Sequence, residues 1–135
     1  MPNLINISEA ASLGLHAAAV LAGCGGEPMT TAQIASELRV SEAHLAKVLQ
    51  RLSRNGIVRG TRGPGGGFVL TRDPAKTTLR RIYEAVEGKL DTRRCLFDRP
   101  VCGRASCPLG KIIEEASETI VRGLEETTLE EFTIT

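Results

Sequence analysis

From Thr61 to Phe68 the chain reads Thr-Arg-Gly-Pro-Gly-Gly-Gly-Phe, and few folds accommodate that run. Four glycines and a proline in five positions oppose helix and strand interiors alike. Glycine loses the most backbone freedom on ordering, and proline brings no amide donor. Short β-type stretches flank the run, Ile57-Val58-Arg59 before it and Phe68-Val69-Leu70 after it. The pattern predicts a β-hairpin with a glycine-rich tip.

What precedes the hairpin reads as helix. Ser8 caps a first helix over residues 8–23, with Leu13, Ala17, Val20 and Leu21 at helical spacing and Gly23-Cys24-Gly25-Gly26 as its end. Thr30 and Gln33 make a capping box for a short helix over residues 32–38. Arg39-Val40 turns the chain, and Ser41 caps a helix whose apolar stripe is Leu45, Val48, Leu49 and Leu52, closed by Asn55-Gly56. Two short helices joined by a tight turn outline a helix-turn-helix, and a hairpin directly after it describes a winged helix.

Beyond the hairpin, Thr77 or Thr78 caps a helix carrying Leu79, Ile82, Tyr83 and Val86, which Gly88 ends. Residues 90–107 are irregular and cysteine-rich. Pro108, a favoured first helical residue, opens a long helix toward Glu126. That helix holds Leu109, Ile112, Ile113, Ala116, Ile120 and Leu124, with a stripe through 109, 113, 116, 120 and 124. A terminal helix of this length on a small domain pairs with a second copy more often than it lies alone. Thr128 and Glu131 cap a last short turn. The fold expected is mainly α with a small β-hairpin wing, a winged helix-turn-helix plus a long C-terminal dimerisation helix. Three segments are expected: residues 1–89 as the winged helix-turn-helix, 90–107 as the cysteine-rich loop, and 108–135 as the dimerisation helix and C-terminal turn.

A chain of 135 residues makes one domain, or two small ones. At 41% hydrophobic and 24% charged it is composed to bury a core. Its longest apolar run, residues 13–22, is broken by His16 and is about half the ~20 residues of a membrane helix. The first basic residue is Arg39, so the N-terminus lacks the basic region of a signal peptide, and a cytoplasmic location is expected. There is no Trp, and Phe68, Phe97, Phe132 and Tyr83 are the aromatic residues, which argues against a stacking platform for single-stranded nucleic acid.

The net charge of +1 conceals a partition. Residues 1–38 carry −3, residues 39–81 carry +8, residues 82–111 carry +2 and residues 112–135 carry −6. The dense basic stretch falls on the helix-turn-helix and hairpin, as a polyanion-binding surface would.

On the helix after Ser41 the non-core faces hold Glu42, Ala43, His44, Lys47, Arg51 and Arg54. The first residues of a recognition helix enter the major groove, and later cations meet phosphate. Ala43, His44 and Lys47 are therefore placed near base edges, and Arg51 and Arg54 near phosphate. Ser41 and Thr31, at the starts of the two helices, join the DNA-contacting set. At the hairpin, Gly63, Gly65, Gly66 and Gly67 let backbone lie close to a duplex, and Arg62 reaches the minor groove or flanking phosphates. No G-x-x-x-x-G-K-[ST] motif is present, and the run joins strands rather than opening a helix, so it is no nucleotide phosphate loop.

Three of the four cysteines form Cys95-x6-Cys102-x4-Cys107, among Arg93, Arg94, Arg99 and Arg104. Disulfides are not the resting state of a cytoplasmic chain, so metal leads. Zinc favours paired short spacings and four ligands, whereas iron–sulfur clusters tolerate wider spacing and a non-cysteine fourth ligand. Metal-free thiols acting as a redox switch are the third reading. For a fourth ligand the candidates are His16, Cys24 and Glu9, or else a small thiol, solvent or no fixed ligand; a histidine on such a face is otherwise a packed residue, and a lone cysteine a small hydrophobe.

Taken together, LAKVLQRLSRNGIV from Leu45 to Val58, RGPGGGFVL from Arg62 to Leu70, IYEAVEG from Ile82 to Gly88 and the three-cysteine loop resemble one family. It is the bacterial iron–sulfur winged-helix transcriptional regulators of the IscR and NsrR type. The resemblance implies a homodimer joined through the C-terminal helix, reading a palindromic operator in double-stranded DNA. It also implies a [2Fe-2S] or [4Fe-4S] cluster on Cys95, Cys102 and Cys107. In the cluster-assembly members a histidine three residues after the last cysteine is the fourth ligand, and Gly110 stands there in this chain. Their common x5 and x5 spacing is x6 and x4 here. In the nitric-oxide and redox sensors, acidic or histidine residues of the partner's first helix complete the site; His16 falls at such a position, with Ser12 where an acid would stand. The function expected is a repressor whose operator binding follows cluster, redox state or nitric oxide. A zinc-bound or metal-free thiol regulator of the same fold, and a small iron–sulfur electron-transfer protein, are the rivals. No nucleophile–base pair suggests an enzyme.

Overall fold

A computed structural model of the chain describes residues 5–90, 95–97, 99, 101–103 and 105–134. Its elements in order are α1 (Glu9–Ala22), α2 (Thr31–Leu38), α3 (Glu42–Arg54), β1 (Val58–Thr61), β2 (Gly67–Leu70), α4 (Leu79–Glu87) and α5 (Pro108–Glu126), with single 3-10 turns at Pro74–Lys76 and Glu130–Phe132. Among the described residues no helix is long and apolar enough to cross a membrane.

α1 is apolar nearly all round and therefore lies inside. Ala11, Ala17, Ala18 and Ala19 have no exposed surface, and these small residues let α3 and α4 approach it closely. The approach is tightest at Gly14, where a Cβ would lie 2.6 Å from Val86 Cγ2 and 3.5 Å from Val48 Cγ1. Ser8 accepts a hydrogen bond from the Ala11 amide and donates its hydroxyl to Glu87, so the start of α1 is tied to the end of α4.

The helix-turn-helix forms as its caps dictate. Thr30 and Gln33 make the reciprocal capping box of α2, and Ser41 accepts from the His44 amide at the start of α3. Between them Arg39 adopts the left-handed conformation at φ 55° and sends its N–H back to the end of α2. Ile34, Leu45, Leu49 and Leu52 are fully buried at the junction.

The hairpin runs further toward its tip than its apolar stretches do. Val58 pairs with Leu70, Arg59 with Val69, Gly60 with Phe68 and Thr61 with Gly67, so two glycines stand inside the strands. Ladder bonds are made by backbone and do not require apolar side chains. Ile57 falls outside the strand yet is buried, its amide bonded to the Leu52 carbonyl. A nonlocal anchor holds the hairpin to the helices. The Phe68 amide donates to the Met29 carbonyl at 2.7 Å, and the Met29 amide to the Phe68 carbonyl at 3.1 Å.

Thr78 rather than Thr77 caps α4, accepting from the Arg81 amide; Thr77 is buried and donates its hydroxyl to the Asp73 carbonyl at 3.0 Å. After α5 the chain returns to this point. The Leu79 amide donates to the Thr127 carbonyl at 2.9 Å, the Leu129 amide to the Thr77 carbonyl at 2.8 Å, and Leu129 is completely buried in the core built by α1 to α4. Glu131 accepts from the amide and hydroxyl of Thr128, closing the last turn. On α5 itself Ile113, Ile120 and Leu124 are half-buried, while Leu109, Ile112 and Ala116 are exposed.

Candidate nucleic-acid interface and thiol site

Because Leu45, Val48, Leu49 and Leu52 face inward, the residues pointing directly away from the core are Ala43, Lys47, Gln50 and Arg54. All four are exposed. Lys47 and Arg54 have no ion-pair partner among the described residues. His44 and Arg51 lie on the flank instead. His44 Nδ1 is 3.9 Å from Glu9 Oε1 on α1, and Arg51 Nη1 donates to the Val86 carbonyl at 3.1 Å. Asn55 adds a second tie between these helices, its amide donating to the Arg51 and Ala85 carbonyls. Arg51 thus joins α3 to α4, a task that residue type does not announce. Gln50 was absent from the sequence-derived set, although the spacing 43, 47, 50, 54 marks it; reading for cations alone passes over an amide.

Arg80, another member of the basic stretch, is held by Glu84 at 2.5 Å and Glu125 at 3.6 Å, and so is neutralised locally. Arg59 on β1 and Arg62 at the tip are exposed. The tip is closed by Thr61, whose hydroxyl accepts from the Gly67 amide, and by a turn in which the Gly66 amide donates to the Gly63 carbonyl at 2.9 Å. Its glycines divide by cause. Gly63 and Gly65 have φ of 90° and 76° with open space around them, so conformation demands them and their outer side is bare backbone. At Gly66 a Cβ would meet the Thr61 carbonyl oxygen at 2.6 Å, and at Gly67 the Met29 carbonyl at 2.6 Å. Gly66 is glycine because the wing folds tightly on itself, and Gly67 both because it lies against the segment before α2 and because its φ is 149°. A groove between the start of α2 and the wing is lined by Thr31, Thr61, Arg62 and Gly63. Ser41 is exposed, its hydroxyl serving as the α3 cap.

The cysteines are free thiols, with Cys95 half-buried and Cys102 and Cys107 exposed. Arg93, Arg94 and Arg104 lie outside the described residues. Cys107 is the cap of α5, its Sγ accepting from the Gly110 amide at 3.4 Å. Among the described residues no three Cys, His, Asp or Glu side chains converge within this chain. His16, half-buried on α1, donates from Nδ1 to the Ser12 carbonyl at 2.7 Å and stands edge-on to Phe132 at 5.4 Å. That bond uses Nδ1 as the donor, so Nε2 is the ring nitrogen it leaves unengaged. Cys24 is elsewhere, 2.9 Å from Met29 Sδ and 3.2 Å from the Val20 carbonyl. Burial, with Glu37 and Glu27 nearby, raises its thiol above the ordinary range. Glu9 faces His44, not the cysteines.

A family model described as Rrf2, iron-dependent transcriptional regulator, matches residues 7–134. The chain belongs to the Rrf2 family. Among Rrf2 relatives, the transcriptional repressor NsrR of Streptomyces coelicolor is 30% identical over 78% of this chain and 71% of its own length. The transcriptional regulator IscR of Xenorhabdus nematophila is 32% identical over 77% of this chain and 63% of its own length. Of solved Rrf2-like structures, CymR, the global cysteine regulator of Bacillus subtilis, superposes with a TM-score of 0.76 at 25% identity over 96% of both chains. The winged-helix architecture of these neighbours is the one described above.

Proposed function

We propose that this Rrf2 chain is a homodimeric, cytoplasmic repressor that binds a palindromic operator in double-stranded DNA and responds to an iron–sulfur cluster. The observation that carries the DNA reading is the exposed outer face of α3, where Lys47 and Arg54 have no ion-pair partner among the described residues, together with the exposed Arg62 of the wing. Dimerisation through α5 is supported by its exposed Leu109 and Ile112, continuous with a half-buried apolar stripe. In this arrangement residues 1–89 contact DNA, residues 90–107 hold the cluster and residues 108–135 join the two copies.

For the cluster, the donor types fit: three free thiols close in sequence, and an imidazole whose Nδ1 is held by the Ser12 carbonyl, which leaves Nε2 as the ring nitrogen for a ligand. Cys95, Cys102 and Cys107 would hold a [2Fe-2S] or [4Fe-4S] group, with His16 of the partner subunit as fourth ligand. Such a group supplies sensitivity to oxidants, nitric oxide and iron supply. Cys107 caps α5, so whatever displaces its sulfur alters the start of that helix. A few kcal/mol of differential affinity suffices to move DNA occupancy widely.

Two measurements test this. Lys47→Ala with Arg62→Ala should weaken operator binding and flatten its salt dependence, because two fewer cations displace counterions from the DNA. Unchanged affinity and slope would remove the interface. Anaerobic protein should contain iron and sulfide and show visible absorbance, and its DNA affinity should differ from that of Cys102→Ala; equal affinities refute cluster control. A second reading, regulation by metal-free thiols, is favoured by the exposure of Cys102 and Cys107 and the lack of convergence among the described residues. It expects DNA affinity to follow thiol oxidation in iron-free protein.

A further inference from the structure

Resting on that DNA reading, we propose that Gln50 is a base-selecting residue of α3 and that it recognises adenine. The outer face of α3 ends in four residues, and three cannot offer adenine a donor and an acceptor together. Ala43 offers only a methyl group. Lys47 and Arg54 are donors alone, suited to phosphate or to the paired acceptors of guanine. Gln50 is the amide between them, donor and acceptor together, a pair that matches the N6 donor and N7 acceptor of adenine in the major groove.

Its surroundings leave it free for this. Gln50 is exposed, and its side chain has no hydrogen-bond partner among the described residues. The flanking positions are already occupied, His44 facing Glu9 and Arg51 bonded to the Val86 carbonyl. Arg51 and Asn55 also fasten the neighbouring turn of α3 to α4, so the backbone under Gln50 is rigid. Lys47 and Arg54 stand about one turn before and after Gln50 on the same outer face, about 10 Å apart along the axis at 1.5 Å per residue, so a duplex held by these cations faces the amide between them.

The experiment is selection of randomised duplex DNA by the full-length protein, wild type beside Gln50→Ala and Gln50→Lys. Thermal unfolding of each protein shows that the exposed substitution leaves the fold intact. Wild type should enrich adenine at one position per half-site. Gln50→Ala should lose preference at that position alone, by about ten-fold, and keep the rest of the selected sequence. Gln50→Lys should move the preference toward guanine, whose O6 and N7 both accept. A selected sequence unchanged in both variants overturns the assignment, as does an equal fall in affinity for all sequences. Wild type that enriches no sequence defeats the DNA reading itself, a different failure from loss of the adenine position.

Discussion

Gly14 allows a sharp test of how α1 and α4 pack. Gly14→Ala places a Cβ 2.6 Å from Val86 Cγ2, well inside van der Waals contact, while the next neighbour, Val48 Cγ1, stays at an ordinary 3.5 Å. Two effects oppose each other. Replacing glycine by alanine in a helix interior gains about 1 kcal/mol of propensity. Forcing a methyl group into a filled core costs about 1–3 kcal/mol. The variant should therefore be about 1 kcal/mol less stable than wild type. Val86→Ala alone should cost about 2 kcal/mol through its cavity. With Val86 shortened the obstruction is gone, so Gly14→Ala in that background should stabilise by about 1 kcal/mol. The cycle thus predicts a coupling of about 2 kcal/mol between the two sites. Urea unfolding followed by far-ultraviolet circular dichroism measures it, at one fixed protein concentration because any self-association of a native state shifts the midpoint. A coupling below about 0.5 kcal/mol, or a Gly14→Ala chain more stable than wild type, would refute the claim that close helix approach is what requires glycine there.

Three further outcomes follow from local features. Thr30→Ala removes half of the α2 capping box and should cost about 1 kcal/mol in the same urea assay. Gly66→Ala drives a Cβ into the Thr61 carbonyl, so it should distort the wing and weaken DNA binding in a retardation assay while leaving helix content unchanged. Cys24 has its thiol raised in the folded state, chiefly by burial, so native stability is full below the unfolded thiol's ionisation and falls as pH rises through the folded one. Cys24→Ala should flatten that alkaline decline in unfolding midpoint, and native Cys24 should alkylate only above the pH of an ordinary thiol.

Features signalled by neighbours in sequence were legible before any coordinates. Ser8, Thr30 with Gln33, Ser41 and Pro108 all stand where their chemistry places them, because a cap is a bargain struck within three or four residues. Features that depend on distant segments were not. Nothing near Met29 reveals that it pairs with Phe68, and nothing near His16 reveals Phe132. Asp73 capping a turn at Pro74–Lys76 was missed although its signal is local. Arg51 read as a phosphate contact because its charge was visible and the Val86 carbonyl that receives it, 35 positions away, was not. The cysteine loop was conspicuous as composition, yet spacing alone carries no information about which protomer's residues meet.

The burial of Leu129 bears on how the protein is made. The other members of its core lie between residues 13 and 86. Synthesis proceeds from the N-terminus, so α1 to α4 leave the ribosome with an apolar seat still open, filled only after residues 90–128 have followed. Until then the core of α1 to α4 is unfinished and its apolar seat exposed. Translation that stops after α4 yields a chain with a hole in its interior. Chain order thus sets durability: the winged helix is completed only when the segment after α5 has been delivered.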